Sequence, residues 1–291
     1  METALRLNLK GDIIGMVGRT LDTKESSKDI LSKVKCFILD LDGTVYLGDK
    51  ILEGSIKFLQ KLEKNNIPFK FFTNNSSKNA KVYINRIKKM GYNLSDDKML
   101  ISNYVIINYI KENMPNKRVF VLGTKYLIED FIEAKINVVT DEADVVVVGF
   151  DTSLAYENVS KACEYIRNGA TFLGVNPDFN CPTENGFIPD CGSICSMITA
   201  STGVVPEFFG KPSQHTLKYI LKDSGFKEDE VAFVGDRLYT DIAIGKGNRS
   251  VTILVLSGEA RLEDLTYSEI QPTLIFNSLG GVKNVLEEIY Q

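Results

Sequence analysis

Lys35-Cys-Phe-Ile-Leu-Asp-Leu-Asp-Gly-Thr44 is the stretch that decides how this chain is read. Cys36, Phe37, Ile38 and Leu39 form a short apolar run, which reads as a strand buried on both faces and so as a central strand of a parallel sheet. The run ends in carboxylates. Side chains two apart on an extended strand point the same way, so Asp40 and Asp42 leave its end on one side, close together. Two carboxylates that close repel unless a cation lies between them or one of them holds a proton, and either state is useful chemistry. The unreactive alternative is a polar turn with Gly43 at a positive φ. A calcium loop also begins Asp-x-Asp, but it needs an oxygen ligand at its fifth position, Gly at its sixth and Glu at its twelfth. Gly43 stands fourth, which excludes that loop.

The chain around this stretch has 291 residues, enough for two ordinary domains or one large one. Its composition is that of a globular protein, 44% hydrophobic and 25% charged, with mean hydropathy -0.06. A formal charge of -4 gives no electrostatic reason to expect nucleic acid or an anionic membrane as partner, so any bound phosphate must be held by local groups. No apolar run approaches the roughly 18 residues of a membrane span. The patch Ile13-Ile-Gly-Met-Val17 is too short for a signal-peptide core, and the cytoplasm is the expected location. Five cysteines, Cys36, Cys163, Cys181, Cys191 and Cys195, are an odd count that favours reduced thiols. Their spacing lacks Cys-x-x-Cys, and the single histidine, His215, argues against zinc and against Ser-His-Asp or Cys-His mechanisms. The chemistry therefore falls to carboxylates and lysine.

Residues 1–33 read as an extension or poorly ordered arm, with a helix over about 27–33 leading into the first strand. A loop follows Thr44, and Ile56, Leu59 and Leu62 recur at helical spacing. Residues 67–77 then form a second strand that ends in Thr73, Asn74, Asn75, Ser76 and Ser77. Strand, helix and strand in this order make a right-handed crossover whose tips lie side by side. Alternation continues with helices over about 79–90, 102–113, 125–134, 156–168 and 192–202, and strands over 118–122, 136–139, 143–150 and 171–178. The basic residues of the first of these helices, such as Lys81 and Arg86, read as a solvated face. Pro212 suits a first helical position, which puts Lys211 at a strand-to-helix junction, and Gly225 closes that helix. Glu230-Val-Ala-Phe-Val-Gly-Asp236 repeats the opening pattern and is followed by Asp241. Strands over 252–256 and 273–276 and a helix over 281–290 complete the chain.

Four strand tips thus carry phosphate-site chemistry: Asp40 with Asp42, Thr73 with Asn74, Lys211, and Asp236 with Asp241. In open parallel sheets ligands bind at the carboxyl ends of strands. Asp40-Leu-Asp-Gly-Thr44, Phe71-Phe-Thr-Asn-Asn-Ser-Ser77, Gly210-Lys-Pro-Ser213 and Gly235-Asp-Arg-Leu-Tyr-Thr-Asp241 resemble the four motifs of the haloacid-dehalogenase superfamily. The chain is most similar to its NagD-like, p-nitrophenylphosphatase branch, subfamily IIA, and Asn176-Pro-Asp-Phe-Asn-Cys-Pro-Thr-Glu-Asn-Gly186 is similar to that branch's cap segment. The likeness spans about 34–290.

The resemblance implies an α/β fold with a Rossmann-like core over 34–78 and 208–291 and a large inserted α/β cap of the C2 type over 79–207. It implies a magnesium-dependent phosphatase acting on a small phosphomonoester, whether a sugar phosphate, a nucleoside monophosphate or phosphoglycolate, with p-nitrophenyl phosphate as an artificial substrate. Asp40 would be the nucleophile and form an aspartyl-phosphate. Asp42 would be the general acid and base. Mg²⁺ would bind Asp40, the main-chain carbonyl of Asp42, and Asp236. Thr73, Asn74 and Asn75 would hold phosphate oxygens, Lys211 would balance their charge, and Asp241 would orient Lys211 or a metal-bound water. Asn176, Asp178 and Asn180 are loop formers or substrate contacts. A homodimer through the caps is the expected assembly. A mutase on the same scaffold and a phosphate sensor without turnover are the alternative functions.

Overall fold

The computed structural model describes residues 6–7, 13–14, 26–183 and 186–291. Most of the expected extension lies outside the described residues. Its described end is the helix Ser27–Ser32, started by a reciprocal cap in which Ser26 Oγ accepts from Asp29 N at 3.2 Å and Asp29 Oδ2 accepts from Ser26 N at 3.0 Å. The chain divides into two compact units, one formed by the described residues up to Phe72 with Lys88–Lys98 and Ile220–Gln291, the other by Thr73–Ile87 with Met99–Tyr219. Among the described residues no helix is long and apolar enough to cross a membrane.

The first unit is built on the strand Cys36–Leu39, all four residues of which are buried. On one side Leu39 pairs in parallel with Phe71 of Phe69–Thr73, and on the other with Val234 of Val231–Gly235. The parallel sheet continues through Val251–Val255 to Leu274–Phe276, and a short antiparallel pair, Arg6–Leu7 and Ile13–Ile14, lies beyond it. A strand flanked on both edges and covered on both faces can be apolar at every position, which is why this run shows no alternation. Phe37 packs edge-on against Phe58 of the helix Ser55–Lys64, with ring centroids 5.7 Å apart. Residues 88–98 are tied into this unit by Glu63, which accepts from Tyr92 at 2.6 Å and Lys98 at 3.0 Å, while the Lys98 ammonium lies 4.0 Å from the Phe69 ring centroid.

The second unit has its own parallel sheet, in the order Glu207–Phe208, Thr171–Gly174, Val145–Val148, Val119–Leu122. The all-valine strand Val145–Val148 is central and fully buried. The helices Tyr156–Arg167 and Cys191–Thr202 share a cluster with it that includes Val146, Val148, Ile166, Ile194 and Ile198. An antiparallel hairpin, Asn180–Thr183 with Gly186–Pro189, precedes the second of these helices.

These boundaries differ from the expected ones at 78/79 and 207/208. Residues 73–78 and 208–219 group with the second unit, where Phe150 N donates to Ser76 Oγ at 2.8 Å, Thr124 Oγ1 to the Ser77 carbonyl at 3.0 Å, and Phe209 N to the Gly174 carbonyl at 2.9 Å. Two local expectations are corrected. Residues 136–139 are not a strand, since only Val138 bridges to Val119 before the chain turns away at Glu142, whose φ is 46°. Pro212 is not the first helical residue. Ser213 N closes a turn onto the Gly210 carbonyl at 2.8 Å, Ser213 Oγ accepts from His215 N at 3.2 Å, and the helix begins at Gln214.

One buried acid in the second unit has a measurable consequence. Asp130, 8% exposed, is pushed up to about 6, first by burial and then by Glu133 and Glu129, against the lowering effect of the Asn103 hydrogen bond at 2.8 Å and of Lys81. A raised acid stabilises the fold fully below its unfolded value, near 3.8, and that contribution is lost as pH rises through about 6. The neighbouring Asn103 Oδ1 is buried without a hydrogen-bond partner. Asp130→Asn removes the charge and offers that oxygen a donor, so it should stabilise the protein by about 1–2 kcal/mol at pH 7.5 and by nothing at pH 4. Thermal melts at the two pH values check this, and an equal shift at both would refute it.

Candidate active site

Within the first unit, Asp40 continues the central strand, its N–H donating to the Val234 carbonyl at 2.9 Å. The chain then turns. Val45 N and Tyr46 N donate to the Leu41 carbonyl at 2.9 and 3.2 Å, Gly43 N donates to the Tyr46 carbonyl at 2.8 Å, and Asp42 bridges to Tyr46. Asp236 leaves the neighbouring strand Val231–Gly235, and Asp241 sits in the helical turn Leu238–Ile242 that follows. Asp40, Asp236 and Asp241 each offer a carboxylate oxygen, all within 4.8 Å of one another. The carboxylate of Asp42 does not belong to this group.

The carboxylates of Asp236 and Asp241 are each aimed by a main-chain donor. Glu259 N donates to Asp236 Oδ2 at 2.7 Å and Arg237 N to Asp241 Oδ2 at 3.0 Å. Ser257 Oγ donates to the Gly43 carbonyl at 2.8 Å, so the loop after Val251–Val255 fastens both the Asp42–Gly43 turn and Asp236. Arg237 Nε lies 3.0 Å from Glu259 Oε2 and closes the loop from outside. Gly43, at φ +85°, could not carry a side chain, because a Cβ there would collide with the Asp236 carboxylate, and a Cβ at Gly258 would do the same. Burial, and then the charge of Asp241, push Asp236 up to about 7.

Three acids converge here and two glycines leave one of them room. The donors are hard oxygens, the type that suits magnesium, calcium or manganese. The set is compatible with a divalent metal ion, which would relieve the repulsion between these carboxylates.

The second unit gathers the other candidates. Thr73, 3% exposed, accepts from Asn75 N at 3.2 Å, and Asn75 Oδ1 accepts from Ser77 N at 3.1 Å and Ser77 Oγ at 2.7 Å, so two successive side-chain turns shape the segment after the strand. Asn75 Nδ2 lies 3.6 Å from Cys181 Sγ. Asn74 and Lys211 are both buried, and the Asn74 amide is bonded to the main chain of Lys211. Asn176 is fully buried: its Nδ2 donates to the Asn74 carbonyl at 2.8 Å and its Oδ1 accepts from Asp178 N at 3.0 Å. Asn180 is exposed.

The structure thus brings Asp40, Asp236 and Asp241 together in the first unit, and Thr73, Asn74, Asn75 and Lys211 together in the second. Sequence pattern missed Ser257, Gly258 and Glu259. The available signal was that Leu256-Ser-Gly-Glu259 is a further polar end to a buried parallel strand, next in the sheet to the one that carries Asp236.

A family model described as haloacid dehalogenase-like hydrolase matches residues 37–137, and a second model of HAD-like hydrolases matches 208–282. An acid sugar phosphatase of Staphylococcus epidermidis is 37% identical over 255 residues, covering 87% of this chain and 98% of the relative. One of Staphylococcus aureus is 35% identical over 259 residues, covering 89% and 100%. Among solved structures, the 4-nitrophenylphosphatase of Thermotoga maritima superposes with a TM-score of 0.85 at 40% identity, covering 88% of this chain and 98% of that one. NagD of E. coli gives 0.79 at 29%, covering 85% and 97%.

Proposed function

Because the chain belongs to the haloacid dehalogenase-like hydrolase family and is a phosphatase, we propose that it hydrolyses a small sugar phosphate, with Mg²⁺, through an aspartyl-phosphate on Asp40. The observation that carries this reading is the convergence of Asp40, Asp236 and Asp241 within 4.8 Å. Its similarity to proteins named acid sugar phosphatase supports a sugar phosphate as substrate ahead of nucleoside monophosphates and phosphoglycolate.

In this reading Asp40 attacks phosphorus, forming an acyl phosphate as the ester P–O bond breaks. Asp42 gives its proton to the departing alcohol oxygen, then takes one from the water that attacks the same phosphorus, so inorganic phosphate leaves and both acids return to their starting states. Asp40, Asp236 and the Asp42 carbonyl would hold the cation, with Asp241 behind them; when bound, it keeps Asp40 ionised and offsets phosphoryl charge. The Thr73 oxygen accepts from Asn75 N, which leaves its own hydrogen to give to a phosphate oxygen. Lys211 supplies positive charge to the loose transition state. We place the activity in the cytoplasm and take the assembly to be a homodimer through the second unit. Neither nucleic acid nor membrane is a partner in this reading.

Phosphate release from a panel of sugar phosphates, nucleoside monophosphates and phosphoglycolate, with added Mg²⁺ and after chelation, tests the proposal. Sugar phosphates should give the highest kcat/KM, and chelation should abolish turnover until Mg²⁺ is restored. A phosphoryl group reappearing on an added sugar phosphate, with none in solution, would mean a mutase instead. Binding without turnover would mean a sensor.

A further inference from the structure

We propose that Asn74 is the positioning residue for Lys211, acting through the lysine's own peptide groups and making no side-chain bond to substrate. Asn74 Oδ1 accepts from Lys211 N at 2.7 Å, and Asn74 Nδ2 donates to the Lys211 carbonyl at 2.9 Å. One amide therefore engages both main-chain groups of one residue, as an adjoining strand would. An Asn side chain has two N–H donors. The second points to Asp178 Oδ2 at 3.2 Å, so neither hydrogen is left for a phosphate oxygen. The orientation of the amide is fixed by its partners, because turning it over would set Nδ2 against the Lys211 N–H, donor to donor.

The clamp is itself held. The Asn74 carbonyl accepts from Ser102 Oγ at 2.8 Å and from Asn176 Nδ2 at 2.8 Å, so Asn74 is fixed at its main chain while its side chain grips Lys211. Gly210, immediately before the lysine, has φ +74°, and a Cβ there would lie 2.8 Å from Asn74 Oδ1. The residue before Lys211 thus yields its space to the clamp. Asn74, Lys211, Asn176 and Asp178 are each no more than 6% exposed, and hydrogen bonds of this kind direct most strongly when water is excluded.

The inference rests on the reading above that Lys211 balances phosphoryl charge. A double-mutant cycle tests it, using steady-state hydrolysis of p-nitrophenyl phosphate by the full-length protein. Asn74→Ala should lower kcat by about 100-fold with KM changed less, the cost of a charge misplaced by about an ångström. Lys211→Met should lower kcat at least as much, and in that background Asn74→Ala should cost less than about threefold, because the charge it positions is gone. Equal cost of Asn74→Ala in both backgrounds would overturn the clamp while leaving the role of Lys211 intact. Undiminished activity of Lys211→Met would overturn that role and the clamp with it. If Asn74→Ala does not fold, Asn74→Asp, which keeps the oxygen facing Lys211 N and loses both donors, takes its place in the same cycle: a cost that vanishes beside Lys211→Met supports the clamp, and an equal cost in both backgrounds overturns it.

Discussion

Asp40→Asn should retain less than about one part in 10⁴ of the wild-type phosphatase activity, a loss of roughly 5.5 kcal/mol in transition-state stabilisation, with a melting temperature within a few degrees of the parent. The replacement is nearly isosteric, and the main-chain bond from residue 40 to the Val234 carbonyl does not depend on the side chain. What disappears is the nucleophile, since a neutral carboxamide does not attack phosphorus at a useful rate. One of three mutually repelling acids disappears with it, so the metal-free variant should melt no lower, and even slightly higher, than the metal-free parent. Phosphate release under saturating substrate and Mg²⁺, beside melts with and without the ion, checks both halves. Residual activity above about one per cent would remove Asp40 from the role of attacking group.

Gly43→Ala should cost the next largest amount, about 10²- to 10³-fold in kcat/KM together with about 1–3 kcal/mol of stability. Two separate effects meet at this residue. The backbone lies at φ +85°, a region that costs an L-residue of the order of 1–2 kcal/mol. The new methyl would also collide with the Asp236 carboxylate, which cannot retreat without giving up its bond from Glu259 N at 2.7 Å. Displacing a group of the reacting centre by about an ångström is worth roughly 100-fold in rate. Gly258→Ala separates the two effects. Its methyl would meet the same carboxylate, but its φ lies outside the left-handed region, so activity should fall with a smaller loss of stability. Chemical denaturation and steady-state kinetics on both variants check this. Gly43→Ala with normal kinetics and lowered stability would show that Asp236 tolerates displacement.

The alternating pattern of the chain was readable because its buried strands are short and apolar. Cys36–Leu39 and Val145–Val148 announce themselves, and so do the polar residues that end them. Asp40, Asp236 and Asp241 could be drawn together on sequence grounds because parallel strands present their tips on one side of a sheet. Three things were hidden. The unit boundary was hidden because Thr73 to Ser77 look like the end of a strand, whereas their hydrogen bonds run to Ser102, Phe150 and Thr124, far along the chain. The helix start at Gln214 was hidden because a proline at the first helical position and a serine cap one residue later leave similar signatures, and only the Ser213 hydroxyl's partner tells them apart. The work of Ser257 and Glu259 was hidden because one acts through a hydroxyl on a carbonyl and the other through its main-chain N–H, which any residue but proline would provide.

The pairing of Cys36–Leu39 with Val231–Gly235 also governs when this protein can come into being during synthesis. One of the two edges of the central strand waits for a partner that is made about 190 residues later. A nascent chain released before that point carries an apolar strand with an open edge, an invitation to join another chain, and it lacks Asp236 and Asp241 altogether. Prematurely terminated products should therefore be both inert and prone to clump, and only the finished chain closes its own edge.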